Sequence, residues 1–310
     1  MTADVAVVGQ IARDLIVLVS GRPGGAPAPA RERRELIGGK GATIAVGLAQ
    51  LGASVGLLGV VGDDEPGGRL LRQAGDGGVD TGWVVRRLGT ATGLIVDVLG
   101  EDGRWRYLEE LPRAVRLTPR DVAAARPLLT SAGTVVIQPQ QPADATLAAA
   151  ECARDAGRRV VLDGHPGEDP LTRARLLAAT DVLHLDRAEG PLLAGFPLDT
   201  VEAGLRAADE LLRLGPALVV LDLGDPGCLF VWADQHLLLP HPGGPPSDAA
   251  AFTAALAWGL TRGQGPRRAA RLAVAASGVA VSHPGGRPDL TSEALAGRLA
   301  ELDRHFAPAR

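Results

Sequence analysis

The chain has 310 residues, 46% of them hydrophobic and 22% charged, with a formal net charge of −4. That length suffices for a large core, and the charge balance excludes the basic surface that nucleic-acid binding requires. The opening run MTADVAVVGQIARDLIVLV has no basic start and is interrupted by Arg13 and Asp14, so it reads as neither a signal peptide nor a membrane span. A cytoplasmic protein with no nucleic-acid and no membrane partner is the expectation.

In chain order, DVAVVG (Asp4 to Gly9) predicts a first buried strand ending in glycine. GATIAVGLAQLG (Gly41 to Gly52) has apolar residues at helical spacing and a glycine stop. SVGLLGVVG reads as a strand. PLLTSAGTVVIQP, GRRVVLDGHP, TDVLHLD and PALVVLDLG each hold an apolar strand that ends in polar residues. Alanine-rich helices are predicted over Ala143 to Ala156, Thr172 to Ala179 and Val201 to Leu214. Strands alternating with helices predict a mostly parallel sheet covered on both faces. In such sheets ligands sit beyond the carboxyl ends of the strands.

Two segments break this rhythm. DLIVLVSGRPGGAPAPARERRELIGG and TGLIVDVLGEDGRWRYLEELP read as antiparallel ribbons, the second with GEDG as its hairpin turn. Together they form a small sheet over one side of the main sheet, a lid spanning approximately residues 13–37 and 92–112. No internal repeat or linker divides the chain, so residues 1–310 are read as one domain.

Single residues add detail. Cys152 and Cys228 lie far apart in no metal spacing and read as reduced core residues. The six histidines show no HxH or HExxH spacing, so none is assigned to a metal. Lys40 is the sole lysine, set inside IGGKGA, while every other basic side chain is arginine. A GC-rich coding bias explains the arginines. Retention of Lys40 points to a place that wants an ammonium, with chance survival as the bland alternative.

Four motifs carry a resemblance over nearly the whole chain. They are GGKGATIAVGLAQLGASVGLLGVVGDDEPG, LTPRDV (Leu117 to Val122), LDLGDPGCLFV and AAFTAALAWGL. In order and spacing the sequence resembles the ribokinase/PfkB family of sugar and nucleoside kinases. The resemblance implies a ribokinase-like three-layer α/β/α sandwich with a mostly parallel central sheet and a small β lid, often used in this family for dimerisation. It implies transfer of the ATP γ-phosphate to a hydroxyl of a sugar or related polyol, with Mg2+. The family's closing signature, D-T-x-G-A-G-D-x-F, fits that chemistry. Its last Asp takes the hydroxyl proton. Its Gly-Ala-Gly turn offers backbone N–H groups to the developing phosphoryl charge.

Residue by residue, this chain departs from the pattern on the nucleotide side. Phe252 sets the register, which puts Ala250 at the base position and Ser247, Asp248 and Ala249 at the Gly-Ala-Gly turn. Gly244 and Pro245 replace the signature's Asp-Thr pair. In LDLGDPG the usual Thr is Asp222, while Gly224 and Gly227 remain. The family's Asn-x-x-Glu element, which organises magnesium through water, becomes Asp186 to Glu189. Val274 stands where an adenine-side Asn is common. The substrate side is better kept. Asp14 matches the Asp that grips sugar hydroxyls, and Gly38, Gly39 and Lys40 are intact, although Thr43 replaces an Asn.

Each of these residues also has a plain structural role. Asp14 caps a turn in that reading, Lys40 belongs to a tight strand-to-helix turn, and Glu189 is a solvated helix residue. Asp186 is either a water or metal ligand or a helix cap, and Asp63 and Asp64 cap the helix that follows them. His165 lies at a strand end that could face the pocket. For Asp248 three readings stay open: it caps the helix with Ser247, it is a displaced base, or its carboxylate fills the anion hole. Loss of a general base costs about two to four orders of magnitude in rate. Loss of an anion-hole donor costs about two to three. A carboxylate at Asp222 beside the phosphates repels ATP unless a cation compensates.

Two functions follow. The first is a degenerate family member that binds a small sugar- or nucleoside-like polyol near Asp14, Gly38, Gly39, Lys40 and Thr43 with little or no phosphoryl transfer, and needs no cofactor. The second is an active kinase using Mg2+ and ATP, with Asp248 or another group as base.

Overall fold

The computed structural model describes residues 3–20, 29–100, 105–241, 249–281 and 289–305. The chain opens with β1 (Val5–Val8), β2 (Ala12–Val19), β3 (Ala30–Gly38) and α1 (Lys40–Gln50). Then come β4 (Val55–Leu58), β5 (Val60–Gly62), α2 (Glu65–Asp76), β6 (Val79–Asp80) and β7 (Val85–Arg87). β8 (Leu94–Gly100) and β9 (Trp105–Glu110) precede the paired short helices α3 (Pro119–Ala124) and α4 (Arg126–Ser131). The alternating middle holds β10 (Thr134–Ile137), α5 (Ala143–Asp155), β11 (Arg159–Asp163), α6 (Pro170–Ala178), β12 (Val182–Leu185), α7 (Glu189–Ala194) and α8 (Val201–Leu212). The last part runs β13 (Leu218–Asp222), β14 (Cys228–Trp232), β15 (Gln235–Leu239), α9 (Ala249–Thr261), α10 (Pro266–Val281) and α11 (Ser292–His305).

Nine strands form the main sheet in the order β15-β14-β13-β12-β11-β10-β1-β4-β6. Every pairing from β13 to β6 is parallel, and β14 and β15 add an antiparallel edge. Successive side chains of a strand point to opposite faces. In β1, Val5 and Val7 accordingly join the core made with α1, α9, α10 and α11, while Ala6 and Val8 join the core made with α3, α4, α5, α6 and α8. The strands read as continuous apolar runs because both faces are covered. This is the three-layer α/β/α arrangement that the sequence predicts.

A second sheet, in the order β3-β2-β8-β9, combines two antiparallel hairpins through a parallel β2–β8 contact. The turn expected at GEDG lies outside the described residues except for Gly100. SVGLLGVVG is two strands rather than one. The chain leaves the main sheet at Gly59, where a Cβ would stand 2.7 Å from the Gly9 carbonyl oxygen, and β5 pairs with β7 instead. Periodicity alone does not show such a change of partner.

The first turn of α1 lies directly on the link between β1 and β2. A Cβ on Gly41 would stand 2.6 Å from the carbonyl carbon of Gly9, and Gly39 has φ +82°. Only glycine tolerates both the approach and the positive φ. α9 is buried on nearly every side, from Ala250 through Ala257 and again at Gly259 and Leu260. Its composition, alanine with Phe252 and Leu256, suits a helix enclosed between neighbours. Among the described residues no helix is long and apolar enough to cross a membrane.

Asp64 caps α2 as predicted, accepting from Gly67 N at 2.9 Å, and it also accepts from Thr92 N at 2.8 Å at the start of β8. Burial opposes its charge, but these bonds and that of the Thr92 hydroxyl hold its carboxyl below the ordinary value of 3.8. A lowered carboxyl contributes stability that is complete above 3.8 and is lost as pH falls through the folded value. Replacement Asp64→Asn is expected to flatten the acid limb of the melting-temperature profile. Asp64→Ala is expected to cost about 0.5–2 kcal/mol in urea denaturation at neutral pH.

Candidate functional site

The carboxyl ends of β11, β12 and β13 gather the titratable groups. Asp163 ends β11 and stands in register with His184 on β12. His184 Nδ1 lies 2.6 Å from Asp163 Oδ1. An ionised carboxylate only accepts, so this nitrogen carries the hydrogen. Thr253 of α9 donates its hydroxyl to the same oxygen at 2.8 Å. Asp163 and His184 are each 4% exposed, and Thr253 is fully buried. The His184 ring stacks on Phe252 at 4.6 Å between centroids, and Phe252 stacks on Phe230 at 5.8 Å. Phe252, which sets the register of the motif in the sequence, therefore pins α9 against the sheet.

Burial disfavours the Asp163 charge, yet the His184 hydrogen bond and the positive charge of Lys40 hold the carboxyl below its ordinary value. Its other oxygen, Oδ2, is buried and has no hydrogen-bond partner among the described residues. Lys40 answers the same cluster. Its Nζ stands 3.9 Å from Asp186 Oδ2 and 3.9 Å from Glu189 Oε1. Burial would lower the ammonium pKa, but Asp163, Glu189 and Asp186 together raise it. The sole lysine is thus the cation at the centre of three carboxylates.

Asp186 and Glu189 hold one another in place. Asp186 Oδ1 accepts from the backbone N–H groups of Ala188 and Glu189, each at 2.9 Å, and Glu189 Oε2 accepts from Asp186 N at 3.1 Å. Asp186 therefore both caps the turn into α7 and faces Lys40. The pair has the oxygen chemistry that a hard divalent cation takes, and Lys40 offsets only part of its charge.

Asp222 ends β13. Its Oδ1 accepts from Gly224 N at 2.8 Å and lies 3.0 Å from His241 Nε2. Burial works against the Asp222 charge, but the His241 contact and the Gly224 N–H hold its carboxyl below its ordinary value, and the carboxylate raises His241 in turn. The Arg187 guanidinium packs on Gly224, where a Cβ would stand 2.8 Å from its Cζ. Gly224 and Gly227 have φ +75° and +111°, so both need glycine. The compensating cation that the sequence argument requires for Asp222 is His241, which lies outside its motif.

On the other side, Asp14 of β2 lays its carboxylate over Gly38, where a Cβ would stand 1.8 Å from it. Gly38 is bare because Asp14 occupies the space. Thr43 spends its hydroxyl on Gly39 O one turn back, at 3.1 Å. A polar cleft of 420 Å³ lies beyond the ends of β1 and β10, lined by Gln10, Glu109, Arg116, Pro139, Gln140 and Gln141 among others. Sequence reasoning singled out none of these, nor Asp163 and His184. The signals were present: a polar run QPQQP after an apolar strand, an Asp ending another, and a histidine inside VLHL.

α9 begins at Ala249, and Ala250 is 8% exposed. Its first turn carries no acidic side chain. Ser247 and Asp248, with Gly244 and Pro245, lie outside the described residues. Val274 is fully buried in α10 and faces the core. His165 turns back to accept from Gly167 N at 3.2 Å. Cys228 is buried and Cys152 half-buried, and both are free thiols.

A model of the pfkB family of carbohydrate kinases matches residues 2–293. Ribokinase from Arabidopsis thaliana is 27% identical over 294 residues, covering 92% of this chain and 77% of that protein. The bifunctional ribokinase/ribose-5-phosphate isomerase A of Fructilactobacillus sanfranciscensis is 26% identical over 206 residues, covering 66% of this chain and 37% of that protein. The match therefore spans little more than a third of that relative's length. The structure of Arabidopsis thaliana ribokinase complexed with ribose and ATP superposes with a TM-score of 0.79 at 25% identity, covering 96% of this chain and 99% of that one.

Removing the Asp163 carboxylate leaves the buried His184 N–H without its acceptor, at a cost of about 1–3 kcal/mol. Asp163→Ala is expected to lose that much in equilibrium denaturation. Thr253→Val, which removes one hydrogen bond, is expected to lose about 1 kcal/mol.

Proposed function

The chain belongs to the pfkB family of carbohydrate kinases, and we propose that within it this protein binds a small sugar- or nucleoside-like polyol but transfers phosphate poorly or not at all. The observation that carries this reading is the first turn of α9, where Ala249, Ala250 and Ala251 offer no proton acceptor. Without a base, a polyol hydroxyl keeps its proton as the phosphoryl group approaches, which costs about two to four orders of magnitude. The polyol sits near Asp14, Gly38, Gly39, Lys40 and Thr43, opposite the polar cleft of Gln10, Arg116 and Gln140. The sheet of β2, β3, β8 and β9 covers it as a lid. Exposed Tyr107 and Leu108 on β9 support pairing of two lids in a homodimer.

ATP enters on the Asp222, Gly224 and Gly227 side, beside Ser247 and Ala249, only if Arg187 and His241 outweigh the carboxylate. Magnesium competes with Lys40 for Asp186 and Glu189. The second reading is an active ATP-dependent kinase with another base. Asp163 favours it, because Oδ2 has no partner among the described residues and Thr253, its hydrogen-bond partner, lies three residues along α9 from Ala250, on the same face. Asp248 is the other candidate.

A panel of pentoses, hexoses and nucleosides, tested by thermal shift and calorimetry, is expected to yield a ligand that binds without ATP turnover. The triple change Ser247→Gly, Ala249→Gly, Ala250→Asp is expected to raise phosphorylation of that ligand at least about 100-fold. Turnover by the natural protein on the order of 1 s⁻¹ or more, in the ordinary range of enzymes, overturns the reading. Loss of that turnover in Asp163→Asn or in Asp248→Asn then assigns the base.

A further inference from the structure

Three neighbouring strands place a mixed set of ligand atoms on one face at the edge of the main sheet. Asp222 and Cys228 are directly paired across β13 and β14, and Cys228 is paired with Leu239 across β14 and β15. His241 follows Leu239 by two residues, the spacing that returns a side chain to the same face. One carboxylate oxygen, the Cys228 sulfur and one ring nitrogen of His241 all lie within 4.8 Å of one another. His241 already touches both partners, with Nε2 3.0 Å from Asp222 Oδ1 and Nδ1 3.7 Å from Cys228 Sγ.

From this we infer a transition-metal site at Asp222, Cys228 and His241, of the class that takes Zn2+ or Co2+. Tetrahedral zinc, with bonds of about 2.0–2.3 Å, holds neighbouring ligand atoms roughly 3.3–3.8 Å apart. The spacing here reaches that range with a turn of the imidazole and no change of strand register. Thiolate, imidazole and carboxylate together select a borderline-soft ion over magnesium or calcium. The backbone N–H of Gly224, 2.8 Å from Asp222 Oδ1, orients the carboxylate as second-shell donors do. Three protein ligands leave a fourth position for water or another small ligand. Asp222 and His241 have side chains 17% and 14% exposed, so solvent reaches the site. The site stands whether or not the chain transfers phosphate.

Titration of tag-free, metal-free full-length protein with Co2+ tests this. Stoichiometric binding is expected to produce a thiolate-to-cobalt charge-transfer band in the near ultraviolet and the intense visible bands of tetrahedral cobalt. Cys228→Ser is expected to abolish the charge-transfer band, and Cys152→Ser to leave it unchanged. Asp222→Asn and His241→Gln are expected to weaken binding by at least the 10- to 100-fold that loss of an outer partner costs. They also carry the test if Cys228→Ser does not fold. A protein that shows no thiolate band with one equivalent of cobalt, or a band that survives Cys228→Ser, overturns the proposal and leaves Asp222 and His241 as an ion pair only. Unchanged affinity in both Asp222→Asn and His241→Gln overturns it equally.

Discussion

The buried carboxylate of Asp163 is the constraint on which the site depends. A charge that is 4% exposed survives only with partners of matching polarity. His184 and Thr253 supply the hydrogen bonds, and Lys40 supplies the charge. Each partner comes from a different element: β12, α9 and the first turn of α1. Satisfying one carboxylate therefore fixes α9 on the sheet and holds the first turn of α1 beside the β1–β2 link. Phe252 adds the apolar half of the same clamp by stacking on the His184 ring. The helix that carries Ala250 is held as firmly as a catalytic helix needs to be, although its first turn has no acid.

The carboxyl ends of β12 and β13 follow a similar electrostatic logic. Asp222 introduces a negative charge at the end of β13, and His241 answers it. Asp186 and Glu189 introduce two more, and Lys40 answers those in part. Asp222 is paired with His241, whereas the single Lys40 ammonium leaves the group of Asp163, Asp186 and Glu189 with a net negative charge. Any anion approaching the ends of β12 and β13 meets carboxylates rather than a waiting positive field.

Much of the fold is legible in the sequence because burial on both faces writes itself as apolar runs, and VVIQP, VVLDG and LHLD mark where those runs end. The motif around Phe252 is legible for the same reason: its alanines and leucines have to fit an enclosed helix. What escapes is anything decided by partners distant in the chain. Asp163 and His184 are 21 residues apart, and Asp163 and Thr253 are 90 apart, so no spacing rule joins them. His241 lies 19 residues from Asp222 and outside every motif. SVGLLGVVG hides its break because leaving one sheet for another depends on crowding at Gly59, not on hydropathy.

The contact of Gly41 with Gly9 sets a limit on how this part of the fold can change. Two backbones meet there with no side chain between them, so any side chain added at either position separates α1 from β1. Change is channelled elsewhere, into the 139–141 loop, whose side chains line the polar cleft. Relatives that share the Gly9–Gly41 contact are expected to differ in that loop, and swapping it is the economical route to a reshaped cleft.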